Sequence, residues 1–307
     1  MTQTITIGTR GSKLALWQAE WVRGELSQRF PSASFELKIL KTSGDIQKDV
    51  SLSVIGGQGV FTKELENALV GREIDLAVHS LKDLPTVLPD ELCLGAITER
   101  EDARDALIPR KDRPVDFDSL LELSPGAIVG TSSPRRAAQL RNLRPDLSIT
   151  DLRGNIDTRL AKLDAGNYDY ILLACAGLRR LGWAERIGFP ISTGEMLPAV
   201  GQGALGIEIR TDDETANYLS GLDHPATRAA CLAERAFLRA AGGGCQLPLT
   251  AHAEVTGDDI MINGLVIDED SGNAFRRGIS GPMTDAEMLG RELALAMLVE
   301  SNGATFE

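Results

Sequence analysis

The stretch Ala127-Ile128-Val129-Gly130-Thr131-Ser132-Ser133-Pro134-Arg135-Arg136 passes from an apolar run into a helix start. Ala127–Gly130 has the length and character of a buried strand. Ser132 and Ser133 are candidate N-caps, and Pro134 suits the first helical turn, where its missing N–H costs nothing. Arg135–Leu143 then reads as the helix. A strand running straight into a helix is the repeating unit of an α/β sheet. Two arginines here add cations where unpaired backbone N–H groups already favour an anion.

The junction recurs along the chain. The strand Thr4–Thr9 is followed by Arg10, Gly11 and Ser12, and then by a helix with Leu14, Trp17, Val22 and Leu26 as its apolar stripe. Phe35–Leu40 reads as a strand and Phe61–Val70 as a short helix. Ile74–Val78 reads as a buried strand of the parallel kind. It ends in His79-Ser80-Leu81-Lys82-Asp83-Leu84-Pro85, and Leu92–Ile97 is a further strand. A charged stretch, Thr98–Asp105, reads as a linker to a second α/β unit. There Leu147–Leu152 leads through Arg153-Gly154-Asn155 into the helix Ile156–Leu163, which carries Arg159. Tyr170–Ala174 leads into a helical turn with Arg179 and Arg180.

In open α/β sheets ligands gather at this edge. One arginine there can be a solvated surface group. Four such junctions in two units predict a cleft between them that holds a ligand with several carboxylates or phosphates. Of the 32 basic residues 24 are Arg, whose planar fork matches such groups.

Composition narrows the classes. A 307-residue chain implies two or three domains, and 43% hydrophobic with 25% charged residues is a globular composition. A net charge of −12 argues against nucleic acid, and three Trp, three Tyr and eight Phe leave little for base stacking. No apolar run is long enough to span a bilayer, and Met1-Thr2-Gln3-Thr4 leads into a strand with no secretion signal. Four cysteines without paired spacing fit a reducing cytosol. His79, His224 and His252 are dispersed and suggest no metal site.

Two stretches have ambiguous signals. Lys41–Gly59 has four glycines and no periodicity, as a disordered loop or a lid would. Gly201-Gln202-Gly203-Ala204-Leu205-Gly206 matches a dinucleotide-binding spacing, but it precedes the strand Leu205–Ile209. It reads instead as a strand or crossover returning the chain to the first unit.

From about Gly221 the pattern changes to a small α+β domain. Pro225–Ala241 is a helix with Ala229, Leu232, Ala233, Ala236 and Phe237 inward. Leu249–Val255, Asp259–Asp268 and Ala274–Ser280 are strands, and Met283–Val299 is an amphipathic helix. Between the first helix and the strands lies Gly242-Gly243-Gly244-Cys245-Gln246-Leu247-Pro248. Three glycines keep Cys245 on a loop, either as a simple turn residue or as a thiol placed to hold something covalently. Cys93, Cys175 and Cys231 sit in apolar runs and read as core.

His79–Pro85, Gly130–Arg136, Arg153–Asn155 and Gly243–Pro248 together resemble the porphobilinogen deaminase (hydroxymethylbilane synthase) family of tetrapyrrole synthesis, in the same order and end to end. The resemblance implies two domains similar to type II periplasmic binding proteins, at 1–99 with 200–219 and at 100–199. It implies a third, α+β domain at 220–307. It implies stepwise condensation of four porphobilinogen molecules, with loss of ammonia, onto a dipyrromethane cofactor. That cofactor, one per chain, is held by a thioether to Cys245. Asp83 matches the catalytic aspartate, beside Lys82, and both are expected to touch the cofactor as well. Ser133, Arg135, Arg136 and Arg159 match cofactor-binding positions. Arg10, Ser12, Arg153, Arg159 and Arg180 match substrate-binding positions. A cytoplasmic monomer with no membrane or nucleic-acid partner is expected. Gln58 departs from the family, since many relatives carry lysine there.

Two other classes fit parts of the chain. A non-catalytic binding protein for a carboxylated small molecule would use the two α/β units but not the Cys245 domain. A transcriptional effector module would need a helix-turn-helix that is not seen.

Overall fold

The structure is a computed structural model, and it describes residues 4–42, 62–211, 213–242, 248–268 and 272–303. The stretch expected as a lid lies outside the described residues from 43 onward, with Gln58, and so does Cys245. The chain forms two compact units, Met1–Glu101 with Gly203–Arg228, and Asp102–Gln202 with Ala229–Glu307.

The first unit is built on a five-stranded sheet. Its strands are β1 (Thr4–Arg10), β2 (Ser34–Leu40), β3 (Leu76–Ser80), β4 (Leu92–Ile97) and β10 (Leu205–Arg210), in the order β2-β1-β3-β10-β4. β1 pairs in parallel with β2 and β3, while β10 runs antiparallel to β3 and β4. β3, expected as a buried strand of the parallel kind, is buried but parallel only on its β1 side and antiparallel to β10. The sheet is buried on both faces. Leu76 and Val78 join Ile7, Val22 and Leu26 in one core, and Ala77 joins Leu65 and Leu69 in another. Each large apolar side chain so buried contributes about 1.5–3 kcal/mol.

Helix α1 (Lys13–Arg29) buries Ala15, Gln18, Ala19, Val22 and Leu26. The expected stripe holds at Val22 and Leu26 but not at Trp17, which is 37% exposed. The small Ala15 and Ala19 instead let the helix lie close on the sheet. Helix α2 (Lys63–Val70) covers the other face through Leu65 and Leu69.

The second unit repeats the plan with β5 (Asp105–Pro109), β6 (Ile128–Gly130), β7 (Ser148–Thr150), β8 (Tyr170–Ala174) and β9 (Phe189–Pro190), ordered β7-β6-β8-β5-β9. Three parallel strands are again followed by an antiparallel one, here β5. In each sheet the antiparallel strand comes just after the chain has crossed from the other unit. The charged linker is thus shorter than expected, because Asp105 opens a buried strand. The helices are α3 (Pro134–Leu143), α4 (Ile156–Asp164) and the six-residue α5 (Cys175–Arg180).

The Gly201–Gly206 motif lies across the second crossing and runs into β10, as its context implied. Gly203 has φ +93°, and a Cβ there would strike the carbonyl oxygen of Glu101. Glu101 N in turn donates to Gly203 O at 3.2 Å. Glycine lets the two crossing segments meet backbone to backbone.

A third sheet belongs to the second unit. β11 (Leu249–Thr256), β12 (Asp259–Ile267) and β13 (Ala274–Pro282) are antiparallel neighbours. Helices α6 (Pro225–Ala240) and α7 (Ala286–Gly303) share a core with them that includes Phe237, Ile262, Leu293 and Met297. A Cβ on Gly290 would collide with the Ala233 carbonyl, so that glycine lets α7 rest on α6. Leu265 and Ile267 pack against Ala138 and Leu197, and Thr250 donates to Pro198 O at 2.5 Å. This three-stranded layer is therefore seated on α3 and the 197–198 segment of the same unit.

Candidate active site

In the first unit, parallel register sets the candidate residues at one sheet edge. Ile7 pairs with Leu76 and Gly8 with Ala77, so β1 and β3 end at the same edge. β1 delivers Arg10 and then Ser12. The Ser12 hydroxyl accepts from Ala15 N at 3.2 Å and so caps α1, as its position predicted. β3 delivers His79 and Ser80 and then a 3-10 turn, Leu81–Asp83. Leu81 is buried and its N donates to Ala204 O at 3.0 Å, which leaves Lys82 and Asp83 exposed. A hollow here is lined by Arg10, Ser12, Gln18, Ser80 and Asp83, with Thr62 and His79 also on its wall.

Gln18 was not singled out from the sequence, because mid-helix glutamine reads as a surface residue. It is 2% exposed, and its Nε2 donates to Ser80 Oγ at 2.8 Å. That contact fixes the strand end two residues before Lys82. Behind the hollow, the buried His79 Nε2 lies 3.0 Å from Glu208 Oε2 on β10.

The second unit has a corresponding edge. Ser133 caps α3 by accepting from Arg136 N at 3.4 Å. Arg135 Nη1 lies 2.8 Å from Asp105 Oδ2 and donates to Leu197 O at 2.6 Å. Arg136 donates to Asp105 Oδ1 from Nε at 3.0 Å and from Nη2 at 2.6 Å, and its Nη1 donates to Leu172 O at 3.0 Å. Gln202 Nε2 donates to the same Oδ1 at 2.8 Å and to Ala103 O at 2.7 Å. Burial opposes the charge on Asp105, but the two guanidiniums outweigh it and hold the carboxyl far below the usual range. Burial lowers Arg135, and Asp105 opposes that shift.

The next junction adds Arg153, whose Nε donates to Asp151 at 2.6 Å, and Arg159, whose Nε donates to Gly154 O at 2.7 Å. A hydrogen bond from Ser132 holds Asp151 below the usual carboxylate range against some burial, and Arg153 adds to it. Arg179 and Arg180 stand in the last turn of α5 rather than near its start, and Arg179 pairs with Asp102 at 3.0 Å. Cys175 and Cys231 are buried and Cys93 is half-buried, as core cysteines should be. Among the described residues no cluster suits a metal ion.

The family model described as "Porphobilinogen deaminase, dipyromethane cofactor binding domain" matches residues 5–218, and "Porphobilinogen deaminase, C-terminal domain" matches residues 228–299. The chain belongs to the porphobilinogen deaminase family. Curated porphobilinogen deaminases are similar along nearly the whole chain. That of Nostoc sp. is 50% identical, covering 98% of this chain and 93% of its own. That of Gloeobacter violaceus is 52% identical, covering 96% and 90%. Among solved structures, the chain is similar to the BenM effector binding domain with its effector benzoate, at 18% identity, covering 72% of this chain and 88% of that one, with a TM-score of 0.44.

A dipyrromethane carries several carboxylates, and the donor set of this family member suits it. Arg135 and Arg136 stand at the start of α3, and Arg159 follows the start of α4. Guanidiniums at helix starts are the chemistry such a group requires. Asp105, which pairs with both arginines, and Gln202, which donates to Asp105, were missed in the sequence. Asp105 looked like linker charge, and its partners lie 30 and more residues away.

Proposed function

We propose that the chain condenses four porphobilinogen molecules head to tail, releases ammonia at each step, and frees hydroxymethylbilane for tetrapyrrole synthesis. This reading is supported by the buried two-arginine, one-aspartate cluster in the second unit and, separately, by the exposed Asp83 turn in the first. A binding protein for a carboxylated molecule would need the arginines but not Asp83 or a cysteine domain.

Porphobilinogen bears an acetate and a propionate beside its aminomethyl group, so every ring added brings two carboxylates. Arg10 and Ser12, with Arg153, Arg159 and Arg180, hold those of the substrate. Ser133, Arg135, Arg136 and Arg159 hold those of the cofactor, and Lys82 and Asp83 are also assigned to touch it. When bound, the dipyrromethane supplies a free pyrrole α-carbon as nucleophile and a tether for the growing chain. Cys245 is the residue assigned to hold it by a thioether.

The step to be catalysed breaks the bond from the aminomethyl carbon to nitrogen. Ammonia leaves and the substrate becomes a cationic azafulvene. Asp83 accepts hydrogen bonds from pyrrole N–H groups and stabilises that cation electrostatically. The new carbon–carbon bond releases a proton from the nucleophilic α-carbon, and Asp83 is the residue we assign to accept it. Lys82 stands beside it in the same turn. We assign the enzyme to the cytoplasm as a monomer. Among the described residues no helix is long and apolar enough to cross a membrane.

The test is to add porphobilinogen to the purified chain. One ammonia released per porphobilinogen consumed, with hydroxymethylbilane as product, supports the reading. Binding without ammonia release would return the chain to the binding-protein class.

A further inference from the structure

We propose that Asp105 is a positioning residue, which holds Arg135 and Arg136 in the arrangement that receives the primer before the primer arrives. The inference rests on the reading that these two arginines bind the dipyrromethane carboxylates.

Arg135 and Arg136 are neighbours in sequence on α3. Consecutive helix residues point about 100° apart and do not face each other. Their two guanidiniums also repel. Something must draw them together, and one carboxylate does so. Asp105 Oδ2 takes Arg135 and Oδ1 takes Arg136 through two N–H groups. Leu197 O and Leu172 O each accept one further bond, so both forks are fixed at two points. Asp105 is 0% exposed, so solvent does not weaken the arrangement.

The cluster keeps a net charge of about +1, from two guanidiniums and one carboxylate. An incoming polycarboxylate therefore meets residual positive charge on guanidiniums already held in place, which is how preorganisation raises affinity.

Asp105 is also where the two chain crossings are tied. It is the first residue of β5, just after the first crossing. Gln202, the last residue before the chain returns, donates to both Asp105 Oδ1 and Ala103 O. The arginine pair is thus referenced to both crossing segments rather than only to its own helix.

The test uses Asp105→Asn, which keeps size and one acceptor but replaces the Oδ2 facing Arg135 with a donor. The apo chain is incubated with porphobilinogen, and its intact mass is followed for the gain of two deaminated units. Arg135→Leu and Arg136→Leu are run alongside. The Asn variant is expected to take up primer about tenfold more slowly or worse, from the loss of a charged hydrogen-bond partner. In the fraction that does acquire primer, kcat should stay within about threefold of wild type, because the position of Asp83 is untouched. A merely structural role would lower thermal stability and kcat together and leave uptake per folded chain unchanged.

Wild-type uptake by Asp105→Asn, with uptake lost in the arginine variants, overturns the inference and leaves the arginine reading standing. Normal uptake in the arginine variants overturns that reading itself. Should Asp105→Asn fail to fold, Gln202→Met decides. It removes one leg of the cluster and keeps the charges, so slower uptake supports positioning and unchanged uptake refutes it.

Discussion

His79 Nε2 and Glu208 Oε2 lie 3.0 Å apart, and both side chains are buried. The pair ties β3, which carries the Asp83 turn, to β10, which arrives more than 120 residues later. Glu208 Oε1 has no hydrogen-bond partner among the described residues, so His79 is the contact that matters. Glu208→Ala should lower unfolding stability by about 1–3 kcal/mol by leaving the imidazole unpartnered. Glu208→Gln retains a partner and should lose less. Denaturant midpoints at constant m-value measure both, and an alanine variant as stable as wild type would show that the pair contributes nothing.

Asp83 separates chemistry from folding. It is exposed on a turn anchored by the buried Leu81, so Asp83→Asn should leave stability unchanged. Removing a charge that stabilises the azafulvene should lower kcat by about a hundredfold or more. Asp83→Glu keeps the charge one methylene further out and should retain part of the activity. An Asn variant with wild-type kcat would end the electrostatic role of this residue.

Arg136 should affect both stability and primer content. Arg136→Leu breaks a buried pair and should cost about 3–5 kcal/mol, besides impairing primer assembly. Arg136→Lys keeps the charge, but an ammonium cannot form the Nε and Nη2 pair to Asp105, so rescue should be partial. Full primer occupancy by intact mass in Arg136→Leu would remove this residue from the site.

These residues were legible to different degrees. Ser12 and Ser133 announced themselves because an N-cap is a local signal, set by the helix that follows. The strand ends carrying Arg10, Asp83 and Arg153 followed from apolar runs in the same way. Asp105, Gln18 and Gln202 were not legible, because each is buried by partners tens of residues away. Strand direction was hidden for the same reason: β5 and β10 run antiparallel because the chain has just crossed between units, and no local pattern encodes that. Arg180 was placed near a helix start because a strand precedes it, but α5 is so short that its last turn holds both arginines.

Asp105 should also leave a signature in acid. Its carboxyl titrates far below the unfolded value of 3.8, because the two guanidiniums overcome burial. A depressed acid stabilises the fold fully above its unfolded pKa, and that stabilisation fades as pH falls toward the folded value. The stability difference between wild type and Asp105→Asn should therefore be flat from neutral pH down to about pH 5 and shrink in more acid solution. Unfolding curves at a series of pH values measure it. A difference that grows as pH falls would mean that the carboxylate is not the stabilised form.

Cys245 should be the point of covalent attachment. A thioether requires a reachable thiol with some thiolate character. Burial pushes the Cys175 thiol up to about 12, so it stays protonated near neutral pH. Cys231 is buried, and Cys93 is packed against the first-unit core. Cys245 follows three glycines and is the remaining candidate. The purified chain should exceed its sequence mass by two deaminated porphobilinogen units, and reducing agent should not remove them, since a thioether is not exchanged by thiols as a disulfide is. Added porphobilinogen should give a ladder of single-unit increments. Cys245→Ser should lose the added mass and nearly all activity, because a hydroxyl is a far weaker nucleophile than a thiolate. Cys93→Ser and Cys231→Ser should keep the modification, with only a packing cost. Peptide mapping decides: an unmodified Cys245 peptide from fully active enzyme would exclude the covalent primer at this position.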